Sequence, residues 1–261
     1  MSLAVFTIVQ DEPDLLPLWV EHYRRYAPDC ELYVLAHDVA GDTALYLENL
    51  RSDADATVVP VHRAESFDYE WITRTVEDFM AFLLRSHEIV GFSEVDELVM
   101  PVPAMYESLY PALSADQPFF RATGYCVVHH HPEEPDMDWT QPLLAQRKHW
   151  YRSERYSKIC FARMPVQFKH GFHGAWNVPA ALPASAALRS IHLHQADYQT
   201  TLRRHQRNAG RFWAPEFRLA DVAVHQRLDN PADLERYLLC TLDNPTEYAT
   251  LEPIPTIYHE R

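Results

Sequence analysis

Residues 3–12 read Leu3-Ala4-Val5-Phe6-Thr7-Ile8-Val9-Gln10-Asp11-Glu12. An unbroken apolar and β-branched run is followed by three polar residues. A strand with one wet face alternates; a short continuous run describes a strand covered on both faces, as in parallel sheets. Pro13-Asp14 then supplies helix-start chemistry, and Leu15, Leu18, Trp19, His22 and Tyr26 recur at helical spacing. Outward from this segment the alternation continues. Glu31 to Ala36 reads as a strand ending at His37-Asp38, 44–51 as a short helix, and Thr57 to Val61 as a third strand. Glu70 to Arg85 is the clearest helix, with Ile72, Val76, Phe79, Met80 and Leu83 in one stripe, and Glu88 to Phe92 is a fourth strand. Strands alternating with helices predict an α/β fold with a doubly wound, mostly parallel sheet.

In such sheets ligands bind beyond the carboxyl ends of the strands. Three polar clusters stand there: Gln10-Asp11-Glu12, His37-Asp38 and Glu94-Val95-Asp96-Glu97. In the last, alternation along an extended segment puts Glu94 and Asp96 on one side of the chain. Two carboxylates on one face at a strand end can hold a hard divalent cation through oxygen; the plain alternative is a solvated turn. Asp11 reads equally as a helix cap, and Asp38 and Asp42 as turn residues.

The second half is less regular. Phe119 to Val128, Lys158 to Ala162 and Ser190 to His194 are strand candidates, and Gln199 to Ala209 and Ala232 to Leu242 look helical. Between them lies a His-, Glu- and Pro-rich loop, 129–142. The expected organisation is one domain over 1–210 with a helical extension over 211–261 packed on it.

The chain has 261 residues, with 23 Lys and Arg against 37 Asp and Glu, for a formal charge of −14. That balance argues against sequence-independent nucleic-acid binding, which needs a clustered basic face. Fifteen histidines are in surplus, enough to cancel the negative charge if all were protonated. Hydrophobic content of 47% and charged content of 23% are ordinary globular values. No run approaches the roughly 18 apolar residues of a membrane helix, and Met1-Ser2-Leu3-Ala4 lacks a basic leader. The expectation is a cytoplasmic chain, or one peripheral to the inner face of a membrane. Cys30, Cys126, Cys160 and Cys240 form no C-x-x-C pair and are expected as reduced thiols. There are only six glycines, with no G-x-G pair and none before Lys-Ser/Thr. The dinucleotide fingerprint and the P-loop are therefore both excluded.

Several segments resemble one family in its own order. Phe6 to Glu12, followed by Leu16, Trp19, Glu21 and His22, is similar to the opening of the family-2-like glycosyltransferases that include the family-92 relatives. Phe92-Ser93-Glu94-Val95-Asp96-Glu97-Leu98 resembles the family's Asp-x-Asp-Glu-Phe element, with Glu in the first acidic position and Leu for Phe. Lys158-Ile159-Cys160-Phe161-Ala162-Arg163, Gly171-Phe172-His173, and His192-Leu193-His194 with Gln199 to Arg207 resemble its later elements. The resemblance implies a GT-A-like fold with an irregular C-terminal part, a nucleotide-diphosphate sugar donor, and Mn²⁺ or Mg²⁺. It implies an inverting hexosyl transfer to a glycan, lipid or protein acceptor.

On that reading Asp96 is the first metal ligand, Glu94 contacts ribose or completes the metal shell, and His194, His192 or His173 completes coordination. Gln10, Glu12 and Asp38 face the nucleotide. Lys158 and Arg163 could neutralise phosphate, though Lys158 in a strand reads equally as a surface residue. A bound cation would offset the charge developing on the diphosphate leaving group. Deprotonating the acceptor hydroxyl needs a base; Asp136, Asp138, Asp197 and Glu133 lie in suitable loops, and their spacing selects none. Trp19 reads as core. His129-His130-His131 lacks zinc-ligand spacing and reads as a loop or acceptor-facing lid. The Arg203-Arg204 to Arg207 run reads as a solvated helix face. Two rival classes follow from the same residues: a metal-dependent phosphoester hydrolase, and a non-catalytic module that binds a glycan or partner.

Overall fold

The computed structural model describes residues 1–53, 55–61, 67–211, 213–214, 228, 230–238 and 250–259. The chain forms two compact units. The first comprises Met1–Ala64, Tyr69–Gly124 and Glu154–Ile191; the second comprises Glu65–Asp68, Tyr125–Ser153 and His192–Arg261. The chain therefore passes between the units five times, at 64/65, 68/69, 124/125, 153/154 and 191/192.

The first unit is built on strands β1 (Leu3–Val9), β2 (Glu31–His37), β3 (Thr57–Val61) and β4 (Ile89–Phe92), all parallel, in the order β3-β2-β1-β4. The sheet continues through β9 (Ile159–Ala162), antiparallel to β4, to β6 (Phe119–Arg121). The molecule is thus mixed α/β with a parallel-rich sheet. Leu3, Ala4, Val5 and Phe6 of β1 are all buried, as expected of a strand covered on both faces.

Helices α1 (Leu15–Tyr26), α2 (Gly41–Asp53) and α3 (Tyr69–Leu83) are the crossovers. Helix α1 buries Leu15, Leu16, Trp19, Val20, Tyr23 and Tyr26, so its inner stripe is rotated slightly from the expected one: Leu18 and His22 are half-buried. Pro17 is tolerated because first-turn amides have no intrahelical acceptor. Asp11 does not cap this helix. Its Oδ1 accepts from the Ala40 amide at 2.7 Å, tying the end of β1 to the turn after β2.

Strand β5 (Glu97–Pro101) and β10 (Leu188–His192) are neighbours at the edge of the first unit. Strand β7 (Thr123–Val128) starts in the first unit and continues into the second, where it lies beside β8 (His149–Ser153), itself paired with β11 (Glu252–Pro253). The single strand expected over 119–128 is interrupted at Ala122, whose amide donates to the Lys158 carbonyl at 3.0 Å. Gly124 is required just beyond: a Cβ there would stand 2.4 Å from the Tyr156 backbone carbon. A one-turn helix, α4 (Leu109–Ala112), sits between β5 and β6. Among the described residues, the second unit's α-helices are α5 (Tyr198–Ala209) and α6 (Pro231–Leu238). Leu234, Tyr237 and Leu238 of α6 pack with Tyr198 and Leu202 of α5. Of the helix expected over 232–242, residues 239–242 lie outside the described residues, Cys240 among them; Cys30, Cys126 and Cys160 are buried and in no disulfide.

Candidate active site

The strand order reverses direction between β1 and β4: the chain grows outward through β2 and β3, then returns to the other side of β1. That switch point opens a crevice at the carboxyl ends of β1 and β4. The residues that follow those ends are Gln10-Asp11-Glu12 and Ser93-Glu94-Val95-Asp96-Glu97. Glu12 and Asp96 are buried, Gln10 is half-buried.

The acidic turn is held from two sides within the first unit. From α1, Trp19 Nε1 donates to Ser93 Oγ at 2.9 Å, and the Tyr23 hydroxyl lies 2.9 Å from the same oxygen. Tyr23 also accepts from the Val99 amide at 3.3 Å, and His22 Nε2 donates to the Val99 carbonyl at 2.9 Å. One helix face thus fixes the residue before the acids and the residue after them. Burial lowers the His22 pKa to about 4, opposed by the Val99 carbonyl and reinforced by Arg25, so the ring is neutral. Trp19 is fully buried, as expected, but its indole N–H has a definite polar partner.

From β9, Lys158 reaches beneath the turn. Its Nζ lies 2.8 Å from Glu94 Oε2 and 2.8 Å from Glu97 Oε1. The ammonium is therefore engaged by carboxylates, not presented to phosphate, and Lys158 is a core residue with 4% exposure. Burial alone would lower its pKa; the two carboxylates more than offset that, and the net shift is upward. Burial pushes Glu97 up, to about 8, with Lys158 pulling it back and Glu94 and Asp96 adding to the rise. Glu97 Oε2 is buried without a hydrogen-bond partner among the described residues. Two carboxyl groups thus meet one ammonium and Asp96 acts on Glu97 beside them, and a turn of oxygen donors with surplus acidic groups suits a hard divalent cation. The pairing of Lys158 with Glu97 was hidden in the sequence, because the two are far apart in the chain and neither spacing nor periodicity links them.

Asp38, at the end of β2, is exposed and adopts φ 49°, a left-handed turn conformation that Asp tolerates. Its carboxylate lies 3.4 Å from His37 Nε2, and the His37 ring packs on Trp71 at 4.9 Å. Arg163 donates to the Leu113 carbonyl. His173 packs on Tyr156 at 5.3 Å, with Nδ1 3.2 Å from the Arg155 carbonyl.

In the second unit, His192 and His194 at the end of β10 stack in parallel, 5.8 Å apart. His192 Nδ1 lies 3.6 Å from Cys126 Sγ. His194 is more heavily used: Arg204 approaches Nδ1 at 3.3 Å and His205 Nε2 lies 3.1 Å from its Nε2. Arg204, expected on a solvated face, is thus turned inward in part.

The three candidate bases differ sharply. Asp197 caps α5, accepting from the Thr200 amide at 2.8 Å, and also accepts from the Met137 amide at 2.7 Å beside Arg147 at 3.4 Å. Asp138 accepts from the amide and hydroxyl of Thr140, which hold its pKa down. Asp136 is exposed, and no described residue hydrogen-bonds its carboxylate; Glu133 is exposed too.

His129, Asp136 and Asp197 bring potential ligand atoms within 4.8 Å of one another. This cluster does not fit a metal. His129 spends both nitrogens, donating to the Glu134 carbonyl at 2.9 Å and accepting from the Tyr198 amide at 3.0 Å, while both Asp197 oxygens are committed. The neighbouring rings point elsewhere: His130 to His149 at 3.0 Å, His131 stacked on Tyr198 at 4.2 Å. The triple-histidine run is structural.

No protein-family profile matches the chain, and no curated protein does. Among solved structures, similarity is found to a galactosyltransferase in complex with donor and acceptor sugar analogues, at TM-score 0.29 and 15% identity over 48% of this chain and 46% of that one. A mannosyltransferase from Pyrobaculum calidifontis in complex with GDP-mannose and Mn²⁺ matches at TM-score 0.41 and 11% identity, over 95% of this chain and 72% of that one. Glucosyl-3-phosphoglycerate synthase from Mycobacterium tuberculosis matches at 0.30 and 19%, over 51% and 44%. The chain spans about half the length of the first of these. Likenesses at this level leave the reading to rest on the chain's own topology and residues.

Proposed function

We propose that the chain is a metal-dependent glycosyltransferase that takes a nucleotide-diphosphate sugar. The observation that carries this is the acidic turn Glu94 to Glu97, with Asp96 and Glu97 buried and the turn clamped at the switch point beyond β4, its acidic residues in excess of its single lysine. Asp96 is the first ligand for Mn²⁺ or Mg²⁺, with Glu94 alongside. When bound, the cation acts as a Lewis acid toward the diphosphate leaving group.

The chain's own residues do the rest. Gln10 and Glu12 at the end of β1, and Asp38 at the end of β2, face the base and ribose. Lys158 holds Glu94 and Glu97 in place so that Asp96 is presented from a rigid turn. Asp136 is the acceptor base of an inverting hexosyl transfer, because Asp138 and Asp197 are engaged by backbone amides. A glycan, lipid or protein carries the acceptor hydroxyl, and the site of action is the cytoplasm or the inner face of a membrane. Among the described residues no helix is long and apolar enough to cross a membrane.

The test is thermal-shift screening with UDP, GDP and CMP, each with and without Mn²⁺. A ligand at a hundred times its Kd stabilises by about 2.7 kcal/mol, so at least one nucleotide should raise the Tm, and only with metal. If none does, the transferase reading fails and a non-catalytic module takes its place. Phosphoester turnover without a sugar acceptor would favour the hydrolase.

A further inference from the structure

Residues 165–177 form a hairpin that leaves the end of β9. Gln167 accepts from the Trp176 amide at 2.7 Å, Lys169 donates to the Gly174 carbonyl at 2.8 Å, and Phe168 bridges to Ala175. Asn177 closes the base, accepting from the Gln167 amide and donating to the Pro165 carbonyl. The hairpin is anchored to the sheet through Phe168 and Phe172, whose rings lie 5.8 and 4.7 Å from Phe92. Phe92 is the last residue of β4, two before Glu94. Glu77 of α3 fixes the other side by accepting from the Phe168 amide at 2.6 Å.

Between hairpin and helix lies a groove of about 600 Å³, within the size range of small-molecule sites. Its rim carries Trp176, 73% exposed. Exposing a tryptophan to that extent costs hydrophobic free energy, and here the ring is also held in place: Lys169 Nζ sits 4.5 Å from its centroid. One face of the indole is covered by an ammonium and the other is open. Opposite stand Glu70, Thr73, Arg74 and Glu77 of α3, with Gln167 on the hairpin.

We propose that this groove binds a neutral saccharide, as the subsite that receives the acceptor glycan. A pyranose has an apolar C–H face that lies flat on an aromatic ring, whose π cloud is negative. Its edge carries hydroxyls that both donate and accept, and the groove offers carboxylates, an amide, a hydroxyl and a guanidinium to meet them. The charges argue against a nucleotide here. Arg74 is paired with Glu70 one turn away, and Glu77 balances Lys169, so the groove lacks the net positive charge that a diphosphate needs. The acceptor role rests on the transferase reading; the saccharide binding does not.

The experiment uses the full chain in saturation-transfer NMR without donor, against lactose, maltose, cellobiose and mannobiose at millimolar concentration. At least one disaccharide should receive saturation. Trp176→Ala should weaken its binding about tenfold or more, while Trp176→Tyr, which keeps a stacking face, should lose much less. Because Trp176 is exposed, neither variant should move the Tm. No transfer to any disaccharide, or transfer unchanged in Trp176→Ala, overturns the proposal; so does a UDP or GDP signal that Trp176→Ala abolishes. The Mn²⁺-dependent nucleotide shift is read on the same samples. Its failure with saccharide binding intact removes the transferase reading and leaves the groove.

Discussion

In the first unit, the buried Lys158 ammonium meets the carboxyl groups of Glu94 and Glu97; in the second, His129, His130, His194 and His205 meet carbonyls, amides and one another ring to ring. Both regions bury titratable groups, but their chemistry differs. A neutral imidazole can satisfy one donor and one acceptor, so rings chain together and close a network with no charge to balance. One lysine in a turn of three acidic residues leaves charge over, and that surplus is what a cation can answer. The contrast separates structural from functional titratable groups, and each prediction below presses on it.

The largest effect is expected from Lys158→Met. Removing one partner of a buried ion pair leaves uncompensated charge, which costs about 3–5 kcal/mol. Urea unfolding should show that loss, and adding Glu97→Leu should recover much of it. A single-variant cost below about 1 kcal/mol would make the pair a bystander and dissolve the contrast.

Asp96→Ala should leave the fold intact yet abolish the Mn²⁺-dependent nucleotide shift, a loss of about a hundredfold or more in affinity. The matching change in the second unit, His130→Ala, should leave that shift untouched. Retention of the shift in Asp96→Ala would remove Asp96 from the site.

These two regions were unequally legible in the sequence. The strand ends Gln10 to Glu12 and Glu94 to Glu97 stood out because a buried strand must be apolar and the break in that pattern is visible. The strands β5 and β8 did not. Leu98 to Pro101 is short and ends in proline, and His149 to Ser153 is flanked by Lys148 and interrupted by Arg152, so neither shows a clear period. The roles of Lys158, Tyr23 and His22 depend on contacts across about 60 to 80 residues of chain, for which no local pattern exists. The histidine surplus was visible as a count but not as a network, since ring-to-ring contacts such as His130 with His149 leave no mark in spacing.

Asp197→Ala tests the neutral side. It removes the α5 cap and the carboxylate beside the buried Arg147, and should cost about 2 kcal/mol. Transfer activity per folded molecule should persist. If activity vanishes while stability holds, Asp197 is catalytic after all.

His22 predicts an effect confined to acid pH. Its folded pKa of about 4 lies below the ordinary 6.5, so between those values the unfolded chain binds the extra proton. The stability it contributes is complete above pH 6.5 and is lost as pH falls toward 4, to the extent of about 3 kcal/mol. Urea midpoints across that window should show the fall, and His22→Gln should flatten it. An unchanged slope in the variant would assign the acid sensitivity to another group.

The smallest effect is expected at Asp138. Its carboxylate is exposed and turned back onto Thr140, so it contributes a local turn and nothing that packing depends on. Asp138→Ala should be indistinguishable from the parent in Tm and in transfer rate. Asp136→Asn, two residues earlier and equally exposed, should keep the Tm and lose the transfer rate by the 10²- to 10⁴-fold range of general-base catalysis. The pair is a close control: same loop, same charge, one carboxylate engaged by its neighbours and one not. If Asp138→Ala is the variant that loses turnover, the engaged carboxylate is the working one, and engagement by backbone is no guide to function in this loop.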